Sequence, residues 1–174
     1  MARIAYADIE RPETNDLVTR IVSERGSVLH LYQMLLHSPP LAEGWLAFLT
    51  AVRQKCTLSP DLRELVIMLV AELNGASYEA DQHAPIALAA GATEAQLHDL
   101  GAWSDSKEFT ERHRAVLQLT DEMTRNVQVS AESVVKVRSF LAEREAVELI
   151  ATIAAYNMAS RFLEALAIHS DDTR

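Results

Sequence analysis

The stretch LSPDLRELVIMLVAELNG, residues 58–75, decides the fold class of this chain. Ser59 suits the N-cap of a helix, and Pro60 suits its first turn. Residues 66–70 are apolar on every side, which predicts a helix buried at the centre of the protein. Gly75 then predicts a break, because glycine readily adopts the left-handed backbone conformation that ends helices.

Similar helical patterns extend from this stretch toward both ends of the chain. Ala, Leu and Glu are abundant, aromatic residues make up 6%, and no segment shows the alternation of a long strand. The sequence therefore predicts an all-α protein of roughly eight to ten helices. We expect residues 1–25 to form an N-terminal arm and a short helix, and residues 26–174 to form a single helical domain.

Two segments of the chain echo each other. Each begins with Arg-Glu, at Arg63 and at Arg144, continues as an apolar helix, and ends in Ala, Leu and Ile after a polar patch. The echo is consistent with an old duplication of a helical hairpin, although Ala- and Leu-rich helices also resemble one another by chance.

Charge and hydropathy argue against several classes of partner. The chain of 174 residues carries a net charge of −9, which repels phosphate backbones and anionic lipid headgroups. Its first residues lack the apolar core of a secretory signal, and no apolar run approaches the ~18 residues of a membrane-spanning helix. We therefore expect a cytoplasmic protein that binds neither nucleic acid nor membranes.

Glu79 and His83 interrupt the apolar pattern. They stand four residues apart in YEADQH, residues 78–83, which places both side chains on one face of a helix. If the chain folds back at Gly75, Glu64 lies eleven residues before the bend and His83 eight residues after it. These are similar distances along the two helices, ~16 Å and ~12 Å. The two glutamates and the histidine can therefore meet across a hairpin.

A histidine beside carboxylates is suited to proton transfer. A carboxylate holds one tautomer of the imidazole and favours its protonated form, and an apolar pocket can raise the pKa of a glutamate. Such a group could deliver a proton to the carbanion left by decarboxylation, or serve isomerisation or lactone opening. The alternative is an ordinary helical ion pair facing water, which contributes ~0.5 kcal/mol or less.

The order and spacing of these residues resemble the carboxymuconolactone decarboxylase and alkyl hydroperoxidase D-like superfamily. The redox branch of that superfamily has a Glu, about a dozen residues later a C-x-x-C motif, and a His four residues after the second Cys. In this chain Glu64 stands at the position of the glutamate, residues 76–79 (ASYE) at the C-x-x-C motif, and His83 at the position of the histidine. Ala76 and Glu79 therefore stand where the two cysteines would be. YEADQH is similar to the decarboxylase branch. Further similarity in LSPDLRELVIMLVAELNG, APIALAAGATEAQL and VELIATIAAYNMASRFLEAL covers most of the chain from about residue 25.

The resemblance implies the alkyl hydroperoxidase D-like helical fold and assembly into homo-oligomers, either trimers or hexamers. It also implies a lyase or hydrolase that acts on a small organic acid or lactone by acid/base chemistry, without a metal or an organic cofactor. His83 would be the general acid/base, Glu79 its orienting partner or a second acid/base, and Glu64 a proton relay. The near-continuous apolar segments 63–73 and 146–168 also favour oligomerisation.

The missing cysteines argue against the peroxidase chemistry of the redox branch. That chemistry needs a thiolate that attacks the O–O bond and a second thiol that resolves the sulfenic acid. The chain has one cysteine, Cys56, which lies outside the motif. Two alternatives stay open: a non-catalytic oligomeric protein that binds small molecules, and a hydroperoxide reductase that uses Cys56.

Three further side chains are candidates for substrate binding: Tyr78, His37 and Arg161. Tyr78 stands beside Glu79, His37 could line a pocket, and Arg161 could bind a substrate carboxylate through two hydrogen bonds. Structural explanations compete for each of them: a buried tyrosine, a histidine that binds a carbonyl at a helix end, and an arginine paired with a nearby glutamate. The histidines form no HxxxH or HExxH pattern that would predict a metal site.

Overall fold

The computed structural model describes residues 1–172, which contain nine α-helices and no β-strand. The prediction of an all-α protein with roughly eight to ten helices is therefore confirmed. None of the helices in this range is long and apolar enough to cross a membrane. The helices are α1 (Asn15–Arg25), α2 (His30–Leu35), α3 (Pro39–Thr50), α4 (Pro60–Asn74), α5 (Ser77–Ala89), α6 (Glu94–Asp99), α7 (Glu111–Asn126), α8 (Ala131–Arg138) and α9 (Glu143–Leu166).

The helices group into two compact units. The first unit comprises residues 1–55 together with the segment that starts at Leu163, and it contains α1 to α3. The second unit comprises residues 56–162 and contains α4 to α8 with most of α9. All the residues of the hairpin discussed above belong to the second unit. The expected single domain over residues 26–174 stays a prediction.

Helix α4 is the buried centre of the second unit, as its apolar sequence predicts. Every residue from Leu62 to Ala71 except Arg63 is buried, and the helix packs against α5 and α7. Leu65 and Leu69 join a larger apolar cluster. Burying one leucine side chain stabilises a fold by about 1.5–3 kcal/mol, so α4 is a rigid base for its own polar residue, Glu64.

The bend between α4 and α5 lies at Gly75, as predicted. This glycine has φ +65° in the left-handed region and forms the C-cap of α4. The N–H of Ala76 donates to the carbonyl oxygen of Ala71 at 2.9 Å, which satisfies one of the last carbonyls of the helix. Helix α5 begins two residues after the glycine, so α4 and α5 form a tight hairpin.

The echo between the two Arg-Glu segments does not extend to a second hairpin. Helix α9 is uninterrupted from Glu143 to Leu166, whereas the first segment bends at Gly75. When Arg63 is aligned with Arg144, the position of Gly75 is occupied by Tyr156. Since a tyrosine adopts the left-handed conformation far less readily than a glycine, α9 continues where α4 stops.

Candidate active site

Glu64 and His83 share a short hydrogen bond inside the second unit. Oε2 of Glu64 lies 2.7 Å from Nδ1 of His83, and the side chains are only 1% and 5% exposed. Glu64 comes from the beginning of α4 and His83 from the middle of α5. The hairpin at Gly75 places the two side chains next to each other, as the spacing of the residues predicts.

Arg63 completes this ionic group from the other side of the carboxylate. Its Nε donates to Oε1 of Glu64 at 3.0 Å. Burial opposes ionisation of Glu64, but the hydrogen bond and charge of His83, together with those of Arg63, outweigh it and lower the pKa of Glu64. Glu64 is therefore a carboxylate at neutral pH and accepts a hydrogen bond from Nδ1–H of His83.

Glu79 lies on the opposite side of the imidazole. Its Oε2 is 3.6 Å from Nε2 of His83, close enough for charge interaction but longer than a hydrogen bond. Glu79 is also buried, at 5% exposure. The sequence suggested Glu79 as the orienting partner of His83 or as a second acid/base. The 2.7 Å hydrogen bond to the ring comes from Glu64, and the role of Glu79 stays a prediction. Over residues 1–172, no group of three or more His, Cys, Asp or Glu side chains is arranged to hold a metal ion.

Tyr156 is a further member of the site that the sequence did not reveal. Its hydroxyl lies 3.3 Å from Nε2 of His83, and its ring stands perpendicular to the imidazole with centroids 5.1 Å apart. It reaches the hairpin from α9 and is 2% exposed. The one available signal was its place beside Asn157, where polar residues interrupt the apolar pattern of the last helix.

The three predicted substrate ligands have different surroundings. Tyr78 is buried in the first turn of α5. His37 belongs to the first unit, where its Nε2 lies 2.8 Å from the carbonyl oxygen of Ala5, as the structural explanation expects. Arg161 is exposed and donates through Nη1 to the side-chain oxygen of Asn157 at 2.6 Å rather than to a glutamate. Their roles in substrate binding stay predictions.

Cys56 lies at the start of the second unit, within reach of Glu148. Partial burial of the thiol and the negative charge of Glu148 raise its pKa. Because the thiolate is the nucleophilic form, this environment lowers the reactivity of Cys56.

The part of the chain that contains the α4–α5 hairpin matches a known protein family. The Carboxymuconolactone decarboxylase family matches residues 39–122, a range that includes Glu64, Glu79 and His83. Uncharacterized protein YdfG of Bacillus subtilis (strain 168) is 26% identical over 110 residues, which cover 62% of this chain and 75% of that protein.

Two solved structures show the same fold at low sequence identity. An alkylhydroperoxidase AhpD core, the uncharacterized peroxidase-related protein from Ralstonia eutropha JMP134, superposes with a TM-score of 0.83 at 15% identity, covering 98% of this chain and 93% of that chain. A cysteine-to-alanine variant of the debrominase Bmp8, in complex with 2,3,4-tribromopyrrole, superposes with a TM-score of 0.79 at 16% identity, covering 98% and 95%. The expected alkyl hydroperoxidase D-like fold is confirmed.

Proposed function

Because residues 39–122 match the Carboxymuconolactone decarboxylase family, we propose that the chain is an acid/base enzyme of that family that needs no cofactor. Its substrate is a small organic acid or lactone, and its reaction is a decarboxylation, an isomerisation or a lactone opening. The observation that carries the proposal is the buried 2.7 Å hydrogen bond between Glu64 and His83. A carboxylate in this position fixes the imidazole tautomer and stabilises the imidazolium form.

Each ionisable group of the hairpin has a defined role in this proposal. Glu64 holds the proton on Nδ1, so the proton that enters or leaves the substrate moves through Nε2 of His83. In a decarboxylation, the carbon–carbon electron pair stays on the substrate carbon, CO₂ leaves, and the imidazolium supplies the proton that replaces it. In an isomerisation, the imidazole takes a proton from one carbon and returns it to another. Glu79, 3.6 Å from Nε2, stabilises the positive charge.

The thiol chemistry of the redox branch has less support. Ala76 and Glu79 occupy the positions of the two cysteines in the family frame. Cys56 lies elsewhere, and its surroundings raise the pKa of its thiol. A peroxidase mechanism would need a low-pKa thiolate with a second thiol to resolve it. We therefore favour proton transfer over peroxide reduction.

We also propose that the protein assembles with copies of itself as a trimer or hexamer. Val147, Ile150 and Met158 lie on one side of α9 and are 66%, 36% and 39% exposed. An apolar stripe of this kind supports association between subunits. Light scattering coupled to size-exclusion chromatography measures the mass, and a monomer that persists at high protein concentration would reject the assembly.

The catalytic proposal is tested with His83→Gln and with Cys56→Ser as the matched control. Glutamine leaves Glu64 with a hydrogen-bond donor, so the fold should survive the change. Carboxymuconolactone and related lactone acids serve as probes, and product formation is followed by ultraviolet absorbance. We expect His83→Gln to lower kcat by about 10²–10⁴-fold and Cys56→Ser to leave it unchanged.

Equal rates in the wild-type protein and His83→Gln would reject the catalytic proposal. A lactone acid that raises the melting temperature but is never converted would point to a non-catalytic binding protein. Hydroperoxide consumption that disappears in Cys56→Ser would point to the thiol-dependent reductase.

A further inference from the structure

Arg63 and Glu64 are adjacent residues of α4, yet their side chains are hydrogen-bonded. Neighbouring positions of a helix do not ordinarily face each other. Here Nε of Arg63 lies 3.0 Å from Oε1 of Glu64, and the two side chains are 14% and 1% exposed. The arginine side chain therefore bends back to a buried carboxylate and loses rotamer freedom in doing so. This contact differs from an exposed ion pair, which contributes little to stability.

The two oxygen atoms of Glu64 have partners of different kinds. Oε1 accepts from Arg63, and Oε2 lies 2.7 Å from Nδ1 of His83. A guanidinium does not lose its proton in a protein, whereas an imidazole gains and loses one during acid/base chemistry. Whenever the imidazole is neutral, Arg63 is the cation that remains hydrogen-bonded to Glu64.

We propose that Arg63 is a positioning residue for the acid/base reaction: it keeps Glu64 a carboxylate throughout the cycle, so that the exchanged proton stays on the ring of His83 and does not pass to Glu64. This inference rests on the proposed function and adds a residue that acts through Glu64 without touching the substrate. Burial raises the pKa of Glu64, and the hydrogen bonds and charges of His83 and Arg63 lower it by more, which agrees with this role.

The proton between Oε2 of Glu64 and Nδ1 of His83 can rest at either end of the hydrogen bond. On Nδ1 it gives an imidazolium beside a carboxylate. On Oε2 it gives a carboxylic acid beside a neutral imidazole whose one N–H is at Nε2. Since Arg63 is bonded to the carboxylate, a proton on Glu64 lies closer to the guanidinium charge than a proton on the ring. Arg63 therefore favours the imidazolium, and burial without Arg63 favours the neutral pair.

The position of this proton decides what His83 can do. An imidazolium gives up a proton readily, whereas the N–H of a neutral imidazole is a far weaker acid. If the proton rests on Glu64, His83 can therefore no longer protonate a substrate carbanion through Nε2. The step moves a single proton from Nδ1 to Oε2: one N–H bond breaks and one O–H bond forms, with no other reactant.

The experiment compares Arg63→Met with Arg144→Met. Methionine keeps an unbranched apolar side chain and removes the charge and the donor. Arg144 is the control, because its Nε also donates to a glutamate, Glu148, at 2.9 Å, but its side chain is 66% exposed. With carboxymuconolactone-type lactone acids, we expect Arg63→Met to lower kcat by about 10-fold or more with KM nearly unchanged. Arg144→Met should keep the wild-type kcat, and Arg63→Lys, which keeps the charge, should recover part of the loss.

Nuclear magnetic resonance separates the placement of the proton from a packing role. In the wild-type protein at acidic pH, both ring nitrogens of His83 should show imidazolium ¹⁵N resonances while the side-chain carboxyl ¹³C of Glu64 stays at the carboxylate position. In Arg63→Met, the ¹³C resonance should move toward that of a carboxylic acid and the Nδ1 resonance toward that of an acceptor. Should Arg63→Met fail to fold, the wild-type spectra decide, because a carboxylic acid beside a neutral imidazole would reject the proposal.

The outcomes distinguish this inference from the proposed function. A large loss of kcat in His83→Gln with a retained kcat in Arg63→Met would reject the role of Arg63 alone. Unchanged Glu64 and His83 resonances in Arg63→Met would also reject it, and so would a kcat of Arg63→Lys as low as that of Arg63→Met. Equal rates in the wild-type protein, His83→Gln and Arg63→Met would reject the acid/base function itself and this inference with it. The spectra need no substrate, so they test Arg63 independently of turnover.

Discussion

Oε2 of Glu64 lies 2.7 Å from Nδ1 of His83, although the two residues are nineteen positions apart in the chain. The carboxylate stays ionised because His83 and Arg63 together overcome the cost of its burial. The orientation of the imidazole therefore depends on Glu64, which can be tested by removing the charge of this carboxylate while keeping its shape.

Glu64→Gln should lower kcat by about 10²-fold or more, because a neutral amide neither fixes the Nδ1–H tautomer nor stabilises an imidazolium. Activity toward lactone acids and the ¹⁵N resonances of His83 are the measurements. Glu72→Gln is the matched control, since Glu72 is on the same helix but is exposed. If both variants keep the wild-type rate and tautomer, Glu64 has no part in catalysis.

The backbone of the site was predictable because it depends on local rules. The apolar run of α4 and the glycine at position 75 determine a hairpin, and helix rise alone then brings Glu64 level with His83. The choice of hydrogen-bond partner was not predictable in this way. The spacing of four residues pointed to Glu79, but side-chain rotamers in the folded hairpin place Oε2 of Glu64 closer to the ring.

The contact between Tyr156 and His83 was even less predictable from the sequence. It is 73 positions from His83 and belongs to a different helix, so the contact depends on how α9 packs against the hairpin. No periodicity or spacing rule encodes that packing. The contact of Arg161 is of the local kind instead, because its partner Asn157 stands four residues earlier in the same helix.

The thiol of Cys56 should react slowly with iodoacetamide at neutral pH, because partial burial and the charge of Glu148 keep it protonated. The second-order rate constant of alkylation, compared with that of a small free thiol, is the measurement. Glu148→Gln removes one of the two causes and should increase the rate. A rate above that of the free thiol would contradict the assignment and restore Cys56 as a candidate nucleophile.

Glu148 should make stability depend on pH in the acidic range. It accepts hydrogen bonds from the backbone N–H groups of Thr57 and Leu58 and from Arg144. Although burial opposes ionisation, these bonds lower the pKa of Glu148 from its ordinary value of 4.5 to about 2. A lowered pKa in the folded state stabilises the protein above pH 4.5, and this contribution is lost as the pH falls toward 2.

The corresponding measurement is urea denaturation of the wild-type protein and Glu148→Gln at several pH values. At pH 7 the variant should be less stable by about 1–2 kcal/mol, because charge-assisted hydrogen bonds are lost. The difference in the free energy of unfolding should shrink as the pH is lowered from 4.5 to 2. A difference that is constant over this range would mean that the Glu148 charge does not contribute.

Gly75→Ala should destabilise the protein by about 1 kcal/mol or more, because an alanine is strained at φ +65°. A Cβ at this position would meet no atom within 4 Å, so backbone strain is the whole effect. Gly44→Ala is the control: it also has open space, but it lies inside α3 without a positive φ. Thermal denaturation should show a lower Tm for the first variant and an equal or higher Tm for the second.

Asn157 should contribute to stability by joining three helices. Its Nδ2 donates to Oγ1 of Thr124 on α7, and its Oδ1 accepts from Nδ2 of Asn74 on α4, at 3.0 and 3.2 Å. Asn157→Ala leaves these buried or half-buried groups without a partner, at a cost of about 1–3 kcal/mol. The same change should lower activity, because Asn157 follows Tyr156 in α9 and holds that part of the helix against the hairpin.

A double-mutant cycle separates this hydrogen bond from a general loss of packing. The free energies of unfolding of Asn74→Ala, Asn157→Ala and the double variant are measured by urea denaturation. If the side chains act together, the double variant loses less than the sum of the single variants, with a coupling of about 0.5–1 kcal/mol. Strictly additive losses would show that the 3.2 Å contact is not a stabilising bond and that α9 is held against α4 by apolar packing instead.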